Sequence, residues 1–134
     1  MATIRQTVSF KASPHAVYEA LMDTKQHAAF TGAPARISRK VGGKISAYDG
    51  WIEGRNLELV KDKKIVQEWR GADWPSGVVS TATFSLARAP GGTRLTFAQT
   101  GVPREQAQAI ADGWHEHYWH PMKAMLERDA SHGP

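Results

Sequence analysis

The chain has 134 residues, a formal net charge of +4 and no cysteine, which excludes disulfides, thiolate metal sites and cysteine nucleophiles. Its length fits one domain able to bury roughly two-thirds of its unfolded surface without a metal or disulfide staple. No apolar run approaches the roughly 20 residues needed to cross a bilayer, and no apolar signal core follows Met1-Ala2-Thr3-Ile4-Arg5, so neither a membrane nor an export route is expected and the expected location is cytoplasmic.

Thr3–Lys11 reads as a half-buried strand, with Ile4, Gln6, Val8 and Phe10 on one face. Ser13-Pro14 then opens a helix over Pro14–Met22, serine as N-cap and proline in the first turn. A second short helix is expected from Thr24, read as its N-cap, to about Phe30, ended by Thr31-Gly32-Ala33-Pro34. Strands punctuated by glycine follow: Ala35–Arg39, Lys44–Tyr48, Trp51–Val60 and Lys64–Arg70, with Asp49-Gly50 as a hairpin turn and Gly54 as a bulge or sharp bend. Two long strands, Val78–Arg88 and Thr93–Thr100, alternate apolar and polar residues as sheets with one wet face do.

From about Pro103 to Asp129 the spacing predicts one long helix, with Ile110, Trp114, Tyr118, Met122 and Met125 or Leu126 on one stripe. Gly113 is expected to allow close approach of that helix to the sheet, and Pro121 to kink it near its middle. Residues 131–134 are expected to fray. The fold class is therefore α+β: a curved antiparallel sheet of about seven strands around a long C-terminal helix, in one domain spanning 1–134.

The basic residues fall in short interrupted groups (Arg36, Arg39, Lys40 and Lys44; Lys61, Lys63 and Lys64), a pattern of solvated loops rather than a nucleic-acid face. His115, His117 and His120 crowd one helical stretch, but the spacing of a zinc-protease helix is absent and no third ligand is evident. No metal and no other cofactor is expected. Neither a Gly-x-Ser-x-Gly turn nor a phosphate-binding glycine loop is present, and no catalytic residue is assigned. Tyr18, Tyr118 and the histidines of the last helix are the nominees should the domain be an enzyme, which is the less favoured reading.

Five tryptophans are many for a small domain. Most are expected in the core, where a sheet curved around a helix leaves an apolar space. Phe30, Trp69, Phe84, Phe97, Trp114, Tyr118 and Met122 are the expected lining of such a cavity. Trp74-Pro75 lies in a loop, and the pair is read as a partner-contact surface, with a loop anchor as the alternative for Trp74. Monomer and homodimer are both open.

Several segments in order carry a resemblance: Phe30-Thr31-Gly32-Ala33-Pro34-Ala35; Gly42-Gly43-Lys44 followed by Asp49-Gly50; Lys64-Ile65-Val66-Gln67-Glu68-Trp69-Arg70; Trp74-Pro75-Ser76-Gly77; Thr100-Gly101-Val102-Pro103; and Gly113-Trp114 with Tyr118. From about Thr7 to Leu126 the chain resembles the C-terminal domain of the activator of heat-shock protein 90 ATPase, within the START-like, birch-pollen-allergen-like helix-grip superfamily. The resemblance implies a β-α-α-β6-α fold with a cavity between sheet and long helix. It also implies a stand-alone, non-catalytic domain that acts by contacting a chaperone or other protein, or by binding a hydrophobic small molecule. Other START-like branches carry lipids or polyketides, and some cyclise them, which is the alternative reading.

Overall fold

In the computed structural model, which describes residues 1–131 (side-chain surroundings for 1–127), the order of elements is that of the helix grip. Strand β1 (Ala2–Phe10) is followed by helices α1 (Pro14–Met22) and α2 (Thr24–Thr31). Strands β2 (Arg36–Ile37), β3 (Lys44–Ala47), β4 (Ile52–Val60), β5 (Lys64–Gly71), β6 (Ser80–Ala89) and β7 (Gly92–Val102) come next. A 3-10 turn (Arg104–Gln106) leads into α3 (Ala107–Trp114), a π-helical turn (His115–Trp119) and α4 (His120–Ser131). The seven strands form one antiparallel sheet in the order β1-β7-β6-β5-β4-β3-β2. No helix among the described residues is long and apolar enough to cross a membrane. Residues 132–134 of the expected frayed tail lie outside the described residues, and Ser131 closes α4.

Local chemistry explains the element boundaries. The Ser13 hydroxyl accepts from the Ala16 N–H and Pro14 occupies the first turn of α1, which satisfies one orphan donor and needs none from proline. The cap of α2 is Asp23, not Thr24: its carboxylate accepts from Lys25 and Gln26 N–H. Thr24 instead ties the helix to the sheet, its hydroxyl accepting from the Ile37 N–H at 2.9 Å. Gly54 sits where β5 crosses closely, since a β-carbon there would lie 1.6 Å from the Glu68 carbonyl oxygen. The bulge expected at Gly54 lies two residues on, between Asn56 and Glu58.

The long C-terminal helix departs most from expectation. A π turn precedes Pro121, with the His120 N–H reaching back five residues to the His115 carbonyl. Proline has no N–H for the His117 carbonyl, and its ring would press on that carbonyl in an ordinary α-turn; the wider π turn takes up both demands. The irregularity expected at Pro121 takes the form of a π turn immediately upstream of it. Its geometric effect is to stack residues five apart: Trp114 and Trp119 rings lie 5.5 Å apart at 20°. Both indoles thereby enter the core, with Tyr118, Met122 and Leu126 beside them.

The interior between sheet and helix is filled by aromatic rings. Phe97 lies 4.3 Å from Trp114 and 5.4 Å from Trp119, and Phe84 lies 5.1 Å from Phe97. Each of three buried indole N–H groups donates to a glutamine carbonyl: Trp69 to Gln67, Trp114 to Gln99 and Trp119 to Gln6. The glutamine amides are in turn spent on Asn56, on the Ser80 hydroxyl and on the Ala111 carbonyl. This accounts for Gln6 in the apolar alternation of β1. A buried tryptophan needs an acceptor, and an unmet one costs about 1–3 kcal/mol.

Candidate functional site

A pocket of about 410 Å³ opens at one end of the sheet–helix interface. Its floor is aromatic, formed by Trp69, Trp114 and Tyr118, and Ile52, Ile110 and Gly113 line it beside them. Tyr48, Trp51, Asp73 and Trp74 also line it, with His117 from the π turn. Because the Trp69 and Trp114 N–H groups already donate to Gln67 and Gln99 at 2.8 Å, the floor offers ring surface rather than polar tips.

Of the seven residues expected to line a cavity, the structure brings Trp69, Trp114 and Tyr118 to this pocket. Phe84, Phe97 and Met122 are 1%, 0% and 0% exposed and pack in the solid core, and Phe30 stacks on His27 at 5.1 Å. These four lie behind the floor. The expectation failed there because alternation marks which side chains face inward, not where packing leaves space. Tyr18 is buried in α1 and its phenol is pushed up chiefly by burial; it does not line the pocket.

The loop expectation is corrected in one respect. Trp74 is buried, at 7%, while Pro75 is exposed. The indole folds back over Gly71, where a β-carbon would meet its Nε1 at 2.7 Å. The Arg70 guanidinium fixes this loop by donating to the carbonyls of Trp74, Pro75 and Val78 at 2.6, 2.6 and 2.8 Å. The exposed tryptophan of this surface is Trp51, at 50%.

Trp51 is presented by the turn Tyr48–Trp51, closed by Trp51 N–H to the Tyr48 carbonyl at 3.1 Å. Tyr48 and Asp49 hold φ of 52° and 56°, and Gly50 88°. Two successive non-glycine residues in the left-handed region store about 1–2 kcal/mol of strain each. A hairpin turn with Asp-Gly was legible in the sequence; left-handed Tyr48 was not. The Tyr48 hydroxyl donates at 3.5 Å to the His117 carbonyl that Pro121 leaves free, and its ring meets His117 edge-on at 5.6 Å. Burial pushes the Tyr48 phenol up to about 12 and Tyr118 well above its ordinary value, so both stay protonated at neutral pH.

Behind Tyr118 lies a residue that sequence reasoning missed. His27 is 2% exposed; its Nδ1 meets the Leu21 carbonyl at 3.2 Å and its Nε2 the Tyr118 hydroxyl at 2.7 Å. A carbonyl only accepts, so Nδ1 carries the proton, Nε2 accepts, and Tyr118 donates. Burial lowers the His27 pKa, partly opposed by the Leu21 hydrogen bond. Its place beside Asp23 and Gln26 in a polar run gave no sequence signal of burial.

The other expected sites are on the surface. His115, His117 and His120 are exposed, and the π turn brings the His115 and His120 rings, not His117 and His120, to 6.0 Å. Arg36, Lys44 and Arg55 border an open depression on the sheet around β2–β5, where Arg55 pairs with Glu68 at 3.6 Å.

Residues 11–127 match the family model described as "Activator of Hsp90 ATPase homolog 1-like protein". The chain belongs to this family. It is 32% identical over 121 residues to the human activator of 90 kDa heat shock protein ATPase homolog 1, covering 90% of this chain and 35% of that protein. It is 35% identical over 114 residues to the activator from Dictyostelium discoideum, covering 84% and 30%. The chain thus spans about a third of the length of these relatives. In structure it is similar to an HSP90 activator from Plasmodium falciparum, with a TM-score of 0.89 at 24% identity over 95% of this chain and 97% of that one. It is also similar to the Aha1 dimer from Colwellia psychrerythraea, with a TM-score of 0.82 at 19% identity over 95% and 97%. Both likenesses are of fold.

One consequence for the family's long helix is testable. A β-carbon on Gly113 would meet only the His117 ring, at 3.7 Å, so Gly113 does not serve a close approach to the sheet and lines the pocket instead. Gly113→Ala is expected to stabilise the domain by about 0.5–1 kcal/mol, raising Tm by roughly 2–5 °C, while narrowing the pocket. A lowered Tm in differential scanning calorimetry would show that the glycine answers a constraint of another kind.

Proposed function

We propose that this activator-like domain is a non-catalytic binding module, that its working surface is the pocket with its Trp51 rim, and that its protein partner is an Hsp90-type chaperone of the cytoplasm. The observation that carries this reading is a half-exposed tryptophan, held on a strained turn, beside an apolar pocket. Exposed aromatics bordering desolvated pockets are where binding energy concentrates in protein interfaces, and backbone strain gathers at such sites. The relatives named as chaperone ATPase activators supply the class of partner. Pro75 belongs to the same surface as an exposed residue of the pinned loop, and Trp51 takes the part expected of Trp74.

The direct test is ATP turnover by a cognate Hsp90-type chaperone titrated with this domain. Saturable stimulation is expected, and Trp51→Ala is expected to raise the concentration for half-effect about tenfold or more without altering Tm. Unchanged turnover at saturating domain overturns the chaperone reading.

A second reading is favoured by the pocket itself: a hydrophobic small molecule held between Trp69, Trp114 and Trp51. Apolar burial of about 25 cal/mol per Å² makes micromolar affinity accessible to a mid-sized rigid ligand without any catalytic group. Native mass spectrometry of the domain purified from its own host is expected to show a co-purifying small molecule, released by Trp51→Ala.

A further inference from the structure

We propose that the pocket takes an organic ammonium carried on an apolar body. This inference deepens the small-molecule reading and rests on it. Six aromatic side chains line the pocket: Tyr48, Trp51, Trp69, Trp74, Trp114 and Tyr118. The N–H edges of Trp69 and Trp114 are committed to buried glutamines, which leaves ring surface for the ligand. Ring faces carry the negative part of the aromatic quadrupole and attract cations, tryptophan most of all.

The charged residues around the pocket point the same way. Arg70 lines it, but its guanidinium is spent on the three backbone carbonyls of the 74–78 loop. Asp73 also lines it, is exposed, and takes part in no ion pair among the described residues. His117 is occupied against the Tyr48 ring. The carboxylate of Asp73 thus stands beside an aromatic box, while the Arg70 charge is held among the carbonyls of its loop. An anionic ligand meets the carboxylate and the ring faces, and the two Arg70 nitrogens that could answer it are already donating to those carbonyls. An uncharged one fills the box and leaves Asp73 unanswered. An ammonium with aryl or alkyl substituents answers the ring faces and the carboxylate together, and its methyl or methylene groups still bury apolar area.

The test compares benzyltrimethylammonium with neopentylbenzene, its uncharged isostere, by quenching of tryptophan fluorescence at low ionic strength, on the whole chain and on Asp73→Asn. The neutral compound has the larger hydrophobic drive to leave water, so a preference for the cation requires an electrostatic contribution from the site. The cation is expected to bind about tenfold more tightly than its isostere. Asp73→Asn is expected to weaken the cation about fivefold and to leave the isostere within about twofold. Asp73 is exposed, so the variant keeps the fold, checked by an unchanged Tm. Equal affinities, or tighter binding of the isostere, overturn the ammonium preference and leave the apolar pocket standing. Absence of binding by both overturns the inference together with the small-molecule reading.

Discussion

Trp119→Ala is expected to cost about 4 kcal/mol of stability, a large fraction of the roughly 5–15 kcal/mol a domain has to lose. Trp119 is 1% exposed, stacks on Trp114, and meets Phe97 and Phe84 edge-on at 5.4 and 6.4 Å. Truncation opens a cavity in the most crowded part of the core and strips Gln6 of its donor. The variant Trp119→Phe is the milder test. It keeps the benzene ring but loses the pyrrole part with its N–H, and is expected to cost about 2–3 kcal/mol for the unmet Gln6 oxygen and the smaller cavity together. Urea unfolding of both variants checks this. A loss below about 1.5 kcal/mol for alanine would mean that the helix re-forms without the π turn and refills the space.

Acidification is expected to destabilise the domain through His27. Its folded pKa lies below the ordinary histidine value of 6.5 because burial penalises the imidazolium. The unfolded chain therefore binds the extra proton first as pH falls. Stability is fully present above about pH 6.5 and declines below it by up to about 1.4 kcal/mol per pH unit, levelling off at the folded pKa. Protonation would also remove the Nε2 acceptor from the Tyr118 hydroxyl, so loss of order is expected to begin behind the pocket floor. His27→Gln offers Tyr118 a side chain that does not titrate, and its stability between pH 5 and 7 is expected to be correspondingly flatter. Equal slopes in variant and parent would assign the pH dependence elsewhere.

Much of the fold was legible from the sequence because period and punctuation were both clear. Pro14–Met22 follows from Ser13-Pro14, and β6 and β7 from strict alternation. What escaped was set by distant partners. The exchange of Asp23 for Thr24 as cap depends on Thr24 having Ile37 to bond. The burial of Trp74 depends on Arg70 drawing the loop inward and on Gly71 leaving room. The π turn depends on what Pro121 does to His117 and on the core accepting a second stacked indole. The pocket was the least legible feature, because its walls come from the 48–51 and 71–74 turns as much as from sheet and helix. Trp69, Trp114 and Tyr118 were anticipated as inward-facing aromatics, but inward-facing and cavity-lining are different properties in a close-packed interior.

The strand order carries a consequence for synthesis. Among the described residues β1 pairs only with β7, from Ala2 against Val102 to Phe10 against Thr93. At about 5–20 residues per second, the ribosome delivers Thr93 roughly 4 to 17 s after Phe10. For that interval the first strand, with Ile4, Val8 and Phe10 on its inward face, has neither its ladder partner nor the C-terminal helix that covers it. An unpaired apolar edge held open for seconds is a site for aggregation and for chaperone capture. The nascent domain is therefore expected to expose this edge to the cell's folding machinery until the sheet closes.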